Sequence, residues 1–450
     1  MKVSDAAGRT EGGSEQDHDA CIGRRLFGSE GRKCHDRCKA IRRCLHHLTL
    51  SVMRRMPPPL PTFLAVYGLL YAAFGVQSPF LPALLSEQGL HAEEIGIVLA
   101  ASTAIRVLAG PAVGNVADRL RRHTLTLCAC SFVAAITGLG YVTVRGYSGL
   151  LLVALVQAAM LAPIVPISDA LATTAARRSE SGAGRRFEYG WLRAAGSAAF
   201  IAGTMLSGWT ASGDGLASIV WFSGALLGLG GAAGLLLPAI PSPRVPSGSF
   251  PRSTTRDWTS LLQIPAFRLL LIIAALVEGS HALHDSFSVI RWRAAGAGLP
   301  IISALWSESV LSEVLVFLLI GPRLVRLLAP GGAMAVAAVA GIIRWTVAAS
   351  TTSPVILAFV QPLHGFTFAL LHLAAMQVIV RVVPLRLAAT AQAIYGTLCI
   401  GLATALLTLV SGILYERMGG PAFLVMAALC LLALPLCVRL HLSSASLPRC

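Results

Sequence analysis

Pro166-Ile-Ser-Asp-Ala-Leu-Ala172, followed after a charged interval by Tyr189-Gly-Trp-Leu-Arg-Ala-Ala-Gly-Ser-Ala-Ala-Phe200, decides the fold. The two stretches are the facing arms of a hairpin that runs from Pro163 to Gly208. Arg177, Arg178, Arg185 and Arg186 lie in its bend. Each arm is long enough to cross a hydrocarbon core of ~30 Å, which takes ~20 residues at ~1.5 Å rise. The bend therefore sits at a membrane surface. Its arginines mark that surface as the cytoplasmic one, because Lys and Arg accumulate there.

The rest of the chain repeats this hairpin. Of its 450 residues 55% are apolar and only 13% are charged, whereas a soluble domain carries roughly 25% charged residues. That composition is expected of an all-α polytopic membrane protein. Twelve apolar stretches of spanning length follow one another, near 61–84, 94–117, 124–144, 149–171, 191–211 and 217–238, then 266–289, 300–322, 332–350, 354–380, 389–414 and 421–440. The interval 239–263 holds Pro241, Pro243, Pro246 and Pro251 among Ser, Arg and Asp257, and reads as a polar cytoplasmic linker. The expected domains are a basic extension over 1–56, a six-helix bundle over 57–238, the linker, a second six-helix bundle over 264–440, and a short tail over 441–450.

The formal charge of +15 would suggest nucleic acid in a soluble protein. Here the arginines cluster at helix ends with no aromatic platform between them, so orientation in an anionic bilayer explains them and no nucleic-acid partner is expected. With the N-terminus inside, eighteen arginines after Met56 fall at cytoplasmic ends or loops, against four (Arg145, Arg291, Arg293 and Arg417) outside. Both termini are thus expected in the cytoplasm. Cys34, Cys38 and Cys44 with His35, His46 and His47 match none of the strong zinc spacings, so no metal is expected. No Gly-Lys-Ser/Thr phosphate loop and no His-Glu-x-x-His occurs, which argues against a nucleotide-driven pump and an intramembrane enzyme.

Ionisable residues in mid-helix cost ~2.5 to 3.5 kcal/mol each on insertion scales, so they are expected to face a cavity or to pair. Arg106 lies in the second stretch. Glu278, His281 and Asp285 fall on one face of the seventh. Glu313, Arg344 and His364 lie at similar depths in the eighth, ninth and tenth, where Glu313 and Arg344 are placed to meet. Asp169 and Arg193 stand at the cytoplasmic ends of the fourth and fifth. There a pair gates the inner mouth, fixes one end of a substrate, or simply clamps the loop. Pro163 and Pro166 should break the last turns of the fourth helix.

The turn Gly114-Asn-Val-Ala-Asp118-Arg119-Leu-Arg121-Arg122 resembles the signature between helices 2 and 3 of the major facilitator superfamily. It departs at Arg121, where that family has glycine, so a looser turn is expected. The arms quoted above look like the phenylpropionic acid transporter branch, near the lactose permease group. So do Ile343-Arg344-Trp345, Gln361 to Met376 and Ala391 to Thr397.

The resemblance implies a secondary transporter of the bacterial inner membrane, working as a monomer by alternating access without cofactors. Its driving force would be a proton gradient and its partners a small solute, protons and lipid. It implies Glu313 as proton carrier tuned by Arg344 and His364, with Glu278 and His281 in the same coupling set. An aromatic carboxylate such as 3-phenylpropionate would be held by Arg106 or Arg344, near Gln361 and among Tyr67, Tyr71, Trp306, Phe366 and Tyr395. Asp118, Arg119, Asp169 and Arg193 would form the cytoplasmic gate. A sugar or nucleoside substrate, or export, is left open, as is a substrate-sensing receptor built on the same scaffold.

Overall fold

The computed structural model describes residues 60–181, 188–237 and 255–445. The extension over 1–56, Arg185 and Arg186, most of the linker and the last five residues lie outside these. Every regular element among the described residues is helical. The spans are α1 (Leu60–Gln77), α2 (Ala92–Leu120), α3 (His123–Thr143), α4 (Tyr147–Ala176), α5 (Tyr189–Asp214) and α6 (Ala217–Gly234), then α7 (Pro265–Ala294), α8 (Leu299–Leu315), α9 (Gly321–Ser350), α10 (Pro354–Val382), α11 (Leu385–Met418) and α12 (Ala422–Leu442). Nine of these described helices are long and apolar enough to cross a membrane by length and composition. The other three, α5, α8 and α9, coincide with predicted spans but are diluted by Gly, Ser and Glu or divided by irregular turns.

Several spans are irregular. In α4 the α-helix stops at Leu161 and resumes at Ile164, around Pro163, as proline requires. The chain bends at Ala329 (φ 56°, ψ 166°) just before Pro330, so the start of α9 completes the eighth span and the remainder is the ninth. π-helical turns interrupt the last six helices at Val316–Ile320, Phe366–Leu370 and Ile394–Ile400. α2 opens with a capping box, in which the His91 backbone N–H donates to Glu94 Oε2 at 3.0 Å, and with acids in its first turn that suit the helix dipole.

At the other end of α2, Arg121 takes a left-handed conformation, φ 53° and ψ 34°. This is the position where the superfamily signature carries glycine. The turn is therefore not loosened; Arg121 adopts the backbone that glycine adopts freely.

Lipid offers no hydrophobic drive for helices to associate, so close packing and interhelical hydrogen bonds must hold them. The α1–α5 seam shows both. Gly75 and Gly203 admit the opposing backbones of Phe200 and Ala72. Thr204 Oγ1 donates to the Gly75 carbonyl and Ser207 Oγ to that of Val76, each at 3.0 Å. Between α2 and α11 a Cβ on Gly96 would lie 2.9 Å from the Cα of Gly412.

Several contacts between α1–α6 and α7–α12 gather at the end that holds few arginines. Arg293 Nη2 donates to Glu87 Oε1 at 2.7 Å, and the Ala92 N–H donates to Glu416 Oε2 at 2.9 Å. Gly208 of α5 packs against Ser303 of α8 nearby.

Candidate functional site

A cavity of about 650 Å³ lies between the first six and the last six helices, a volume usual for a small-molecule site. α2 supplies Arg106 and α7 supplies Asp285. Phe74, Tyr141 and Trp306 line the wall with aromatic surface, and Gln77 and Gln157 add amides. Among the described residues no hydrogen bond or ion pair engages Arg106. Gln77 Nε2 donates to Gln157 Oε1 at 2.8 Å, and Ser223 Oγ donates to Gln77 Oε1 at 3.0 Å.

Beside the cavity α7–α10 build a buried polar chain around Arg344, which is 1% exposed. Its Nη1 donates to His364 Nδ1 at 2.8 Å, and His364 Nε2 lies 2.7 Å from Glu313 Oε1. A nitrogen that accepts from arginine carries no proton, so the ring is neutral and its Nε2–H donates to the carboxylate. The histidine thus stands between the two residues expected to meet directly.

The other face of Arg344 repeats the pattern. Nη2 approaches His284 Nε2 at 3.4 Å, where Gln361 Nε2 also points at 3.4 Å. Nδ1 of His284 is left to donate to Asp285 Oδ1 at 3.1 Å. Gln361 Oε1 accepts from Arg344 Nη2 at 3.2 Å, and the guanidinium lies 4.5 Å over the Trp345 ring.

His281 joins from the side. Its ring meets that of His364 edge-on at 5.0 Å, Nε2 lies 2.8 Å from Thr367 Oγ1, and Nδ1 lies 3.6 Å from Glu278 Oε2. Glu278, His281, Glu313, Arg344 and His364 therefore share one neighbourhood. His284 and Thr367 were missed. The spacing Glu278, His281, His284 at three-residue steps carried the signal for the former.

The residues expected around the solute ring fall in different places. Trp306 does line the cavity, stacked on His284 at 5.0 Å. Phe366 and Tyr395 instead pack into the apolar core of α7–α12, and the Tyr395 hydroxyl has no partner among the described residues. Each sits in a π-helical turn.

Tyr67 and Tyr71 are occupied elsewhere. Tyr67 Oη donates to Asp169 Oδ1 and Arg193 Nη1 donates to Tyr71 Oη, each at 2.6 Å, while the two rings stack at 5.7 Å. Gln361 is buried beside Arg344 rather than on the cavity wall.

The predicted gate residues fall in two places. Arg193 and Asp169 approach at 3.8 Å and, with Tyr67 and Tyr71, link α5, α4 and α1 within the first six helices. Asp118 accepts from His123 Nε2 at 2.7 Å across the α2–α3 turn. Arg119 is exposed beside it.

Comparison with known proteins agrees with this architecture. The MFS_1 like family model matches residues 62–426. A probable 3-phenylpropionic acid transporter of Escherichia coli (strain K12) is 30% identical over 377 residues, 82% of this chain and 94% of that one. A maltose permease of Geobacillus stearothermophilus is 30% identical over 357 residues, 78% of this chain and 86% of that one. Among solved structures the nucleoside transporter NupG superposes with a TM-score of 0.71 at 18% identity, covering 86% of this chain and 99% of its own. A bacterial homologue of the lysosomal transporter Spinster, in an inward-facing and unoccupied conformation, does so with 0.63 at 14%, covering 86% and 98%. The family and its homologues are transporters of the major facilitator superfamily and not enzymes, and this chain belongs to the MFS_1 like family.

Proposed function

We propose that the protein is a proton-coupled importer of a small aromatic carboxylate such as 3-phenylpropionate. It would work as a monomer in the bacterial inner membrane with both termini in the cytoplasm. The observation that carries the reading is Arg106, a cation at mid-membrane depth on the wall of a cavity rimmed by Phe74, Tyr141 and Trp306. A guanidinium matches a carboxylate bidentately, and the aromatic wall suits a ring. The named relative at 30% identity supports the same class.

Glu313 would carry the proton. With the carboxylate charged, it accepts from His364, which Arg344 holds neutral. Movement of α8 or α10 that parts His364 from Glu313 would break the carboxylate's link to Arg344. The eighteen-to-four distribution of arginines supports the orientation. A neutral sugar or nucleoside is the second reading. Gln77 and Gln157 on the same wall favour it, because amides pair with hydroxyls.

The test is uptake into proteoliposomes under an imposed inward proton gradient, with labelled 3-phenylpropionate, maltose and uridine in parallel. Accumulation of the carboxylate that collapses with an uncoupler supports the reading. Accumulation indifferent to the uncoupler, or of maltose or uridine alone, refutes it.

A further inference from the structure

Asp285 ends the chain that runs from Arg344 through His284, yet it also faces the same cavity as Arg106. Its carboxylate is 53% exposed, and among the described residues its one partner is His284, through Oδ1. No arginine pairs with it there. A carboxylate inside a membrane span is costly even with the indirect support of Arg344 through His284, and it marks function by default.

The residue is also held in place. His284 is 4% exposed and fixed on three sides: by Arg344, by Gln361 and by the stacked Trp306 ring. Its remaining proton points at Oδ1, so Oδ2 is aimed by a rigid support instead of swinging on a free side chain. Arg106 comes from α2 and Asp285 from α7, so the two lie on opposite sides of the boundary between the first and last six helices. The cavity thus presents a cation from one side and a supported acceptor from the other.

We propose that Asp285 is a second polar subsite, taking a hydrogen-bond donor (hydroxyl or ammonium) at the end of the solute remote from its carboxylate. The inference rests on the aromatic-carboxylate reading and narrows it. The preferred solute carries an anion at one end and a donor at the other, and plain 3-phenylpropionate offers Asp285 no donor beyond the one that His284 already gives it.

The experiment is equilibrium binding to the purified full-length protein, using 3-phenylpropionate, 3-(4-hydroxyphenyl)propionate and 3-[4-(aminomethyl)phenyl]propionate. In the wild type at least one of the two substituted acids should bind about tenfold more tightly than the parent, as a hydrogen bond to a charged group allows. Asp285→Ala should abolish that preference while leaving affinity for 3-phenylpropionate within about twofold or improved. The isosteric Asp285→Asn keeps an acceptor but no charge, so it should retain part of a hydroxyl preference and lose an ammonium preference. If 3-phenylpropionate binds the wild type but neither substituted acid is preferred, or the preference survives in Asp285→Ala, this subsite is refuted and the carboxylate reading stands. If none of the three acids binds, both fall together.

Discussion

Arg344 meets Glu313 through opposite nitrogens of one imidazole, at 2.8 Å to Nδ1 of His364 and 2.7 Å from Nε2. An arginine bonded straight to a carboxylate would hold it ionised in every conformation in which the pair persists. A histidine between them lets a small displacement of one helix break the link. Glu313→Gln is expected to leave solute counterflow near wild type while proton-driven accumulation falls roughly a hundredfold, the lower end for removing a positioned proton-transfer group. Equal loss of both activities in a protein that still folds would assign Glu313 a static role.

Arg106 is the predicted grip on the carboxylate. Arg106→Gln should weaken binding of an aromatic carboxylate by about ten- to a hundredfold, and Arg106→Lys by about tenfold, since the ammonium keeps the charge but loses the fork. Titration calorimetry on the purified variants reads this directly. Affinities unchanged in both would move the carboxylate elsewhere.

How much of this was legible in the sequence depends on the kind of residue. Glu278, Glu313, Arg344 and His364 stood out because ionised groups inside a bilayer are rare and expensive, and the fold does bring them together. Asp169 and Arg193 were legible as a pair, yet Tyr67 and Tyr71 were assigned to the solute when their hydroxyls belong to that pair. Phe366 and Tyr395 sit in π-helical turns, and no 3.6-residue pattern reveals such a turn. The bend at Ala329 falls in the interval left between the eighth and ninth stretches, so the break itself was legible there.

Arg121 occupies a left-handed position that costs a side chain about 1–2 kcal/mol. Arg121→Gly should therefore stabilise the α2–α3 turn by about 1 kcal/mol, less the entropy that glycine returns to the unfolded chain. Denaturant unfolding in detergent measures it. A destabilised Arg121→Gly would mean that the arginine side chain holds the turn by contacts outweighing its backbone strain.

At the α1–α5 seam a methyl group on Gly203 would fall 2.9 Å from the carbonyl carbon of Ala72, whereas one on Gly228 meets nothing within 4 Å. Gly203→Ala is expected to destabilise by about 1–3 kcal/mol and Gly228→Ala to be neutral or slightly stabilising. Thermal unfolding of the pair side by side checks the difference.

The Arg293–Glu87 contact is half exposed, with side chains 32% and 42% accessible, and so contributes no more than about 1 kcal/mol. Arg293→Gln should open that end only modestly. In a background without the native cysteines, maleimide labelling of Ser303→Cys should quicken by about two- to fivefold. A larger change would show that the pair couples to more than its own contact.

Arg106 lies on the cavity wall while Glu313 lies outside its lining, so anion and proton would ride at separate sites, and their summed charge decides how the cycle answers to voltage. A monovalent anion on the one and a single proton on the other would cross as a neutral pair. The ~2.3 kcal/mol per 100 mV that the membrane potential offers a travelling unit charge would then go unused, and uptake would answer to acidity alone. Clamping the voltage at zero with potassium and valinomycin would leave such a cycle untouched, whereas a second proton per turnover would make it generate current.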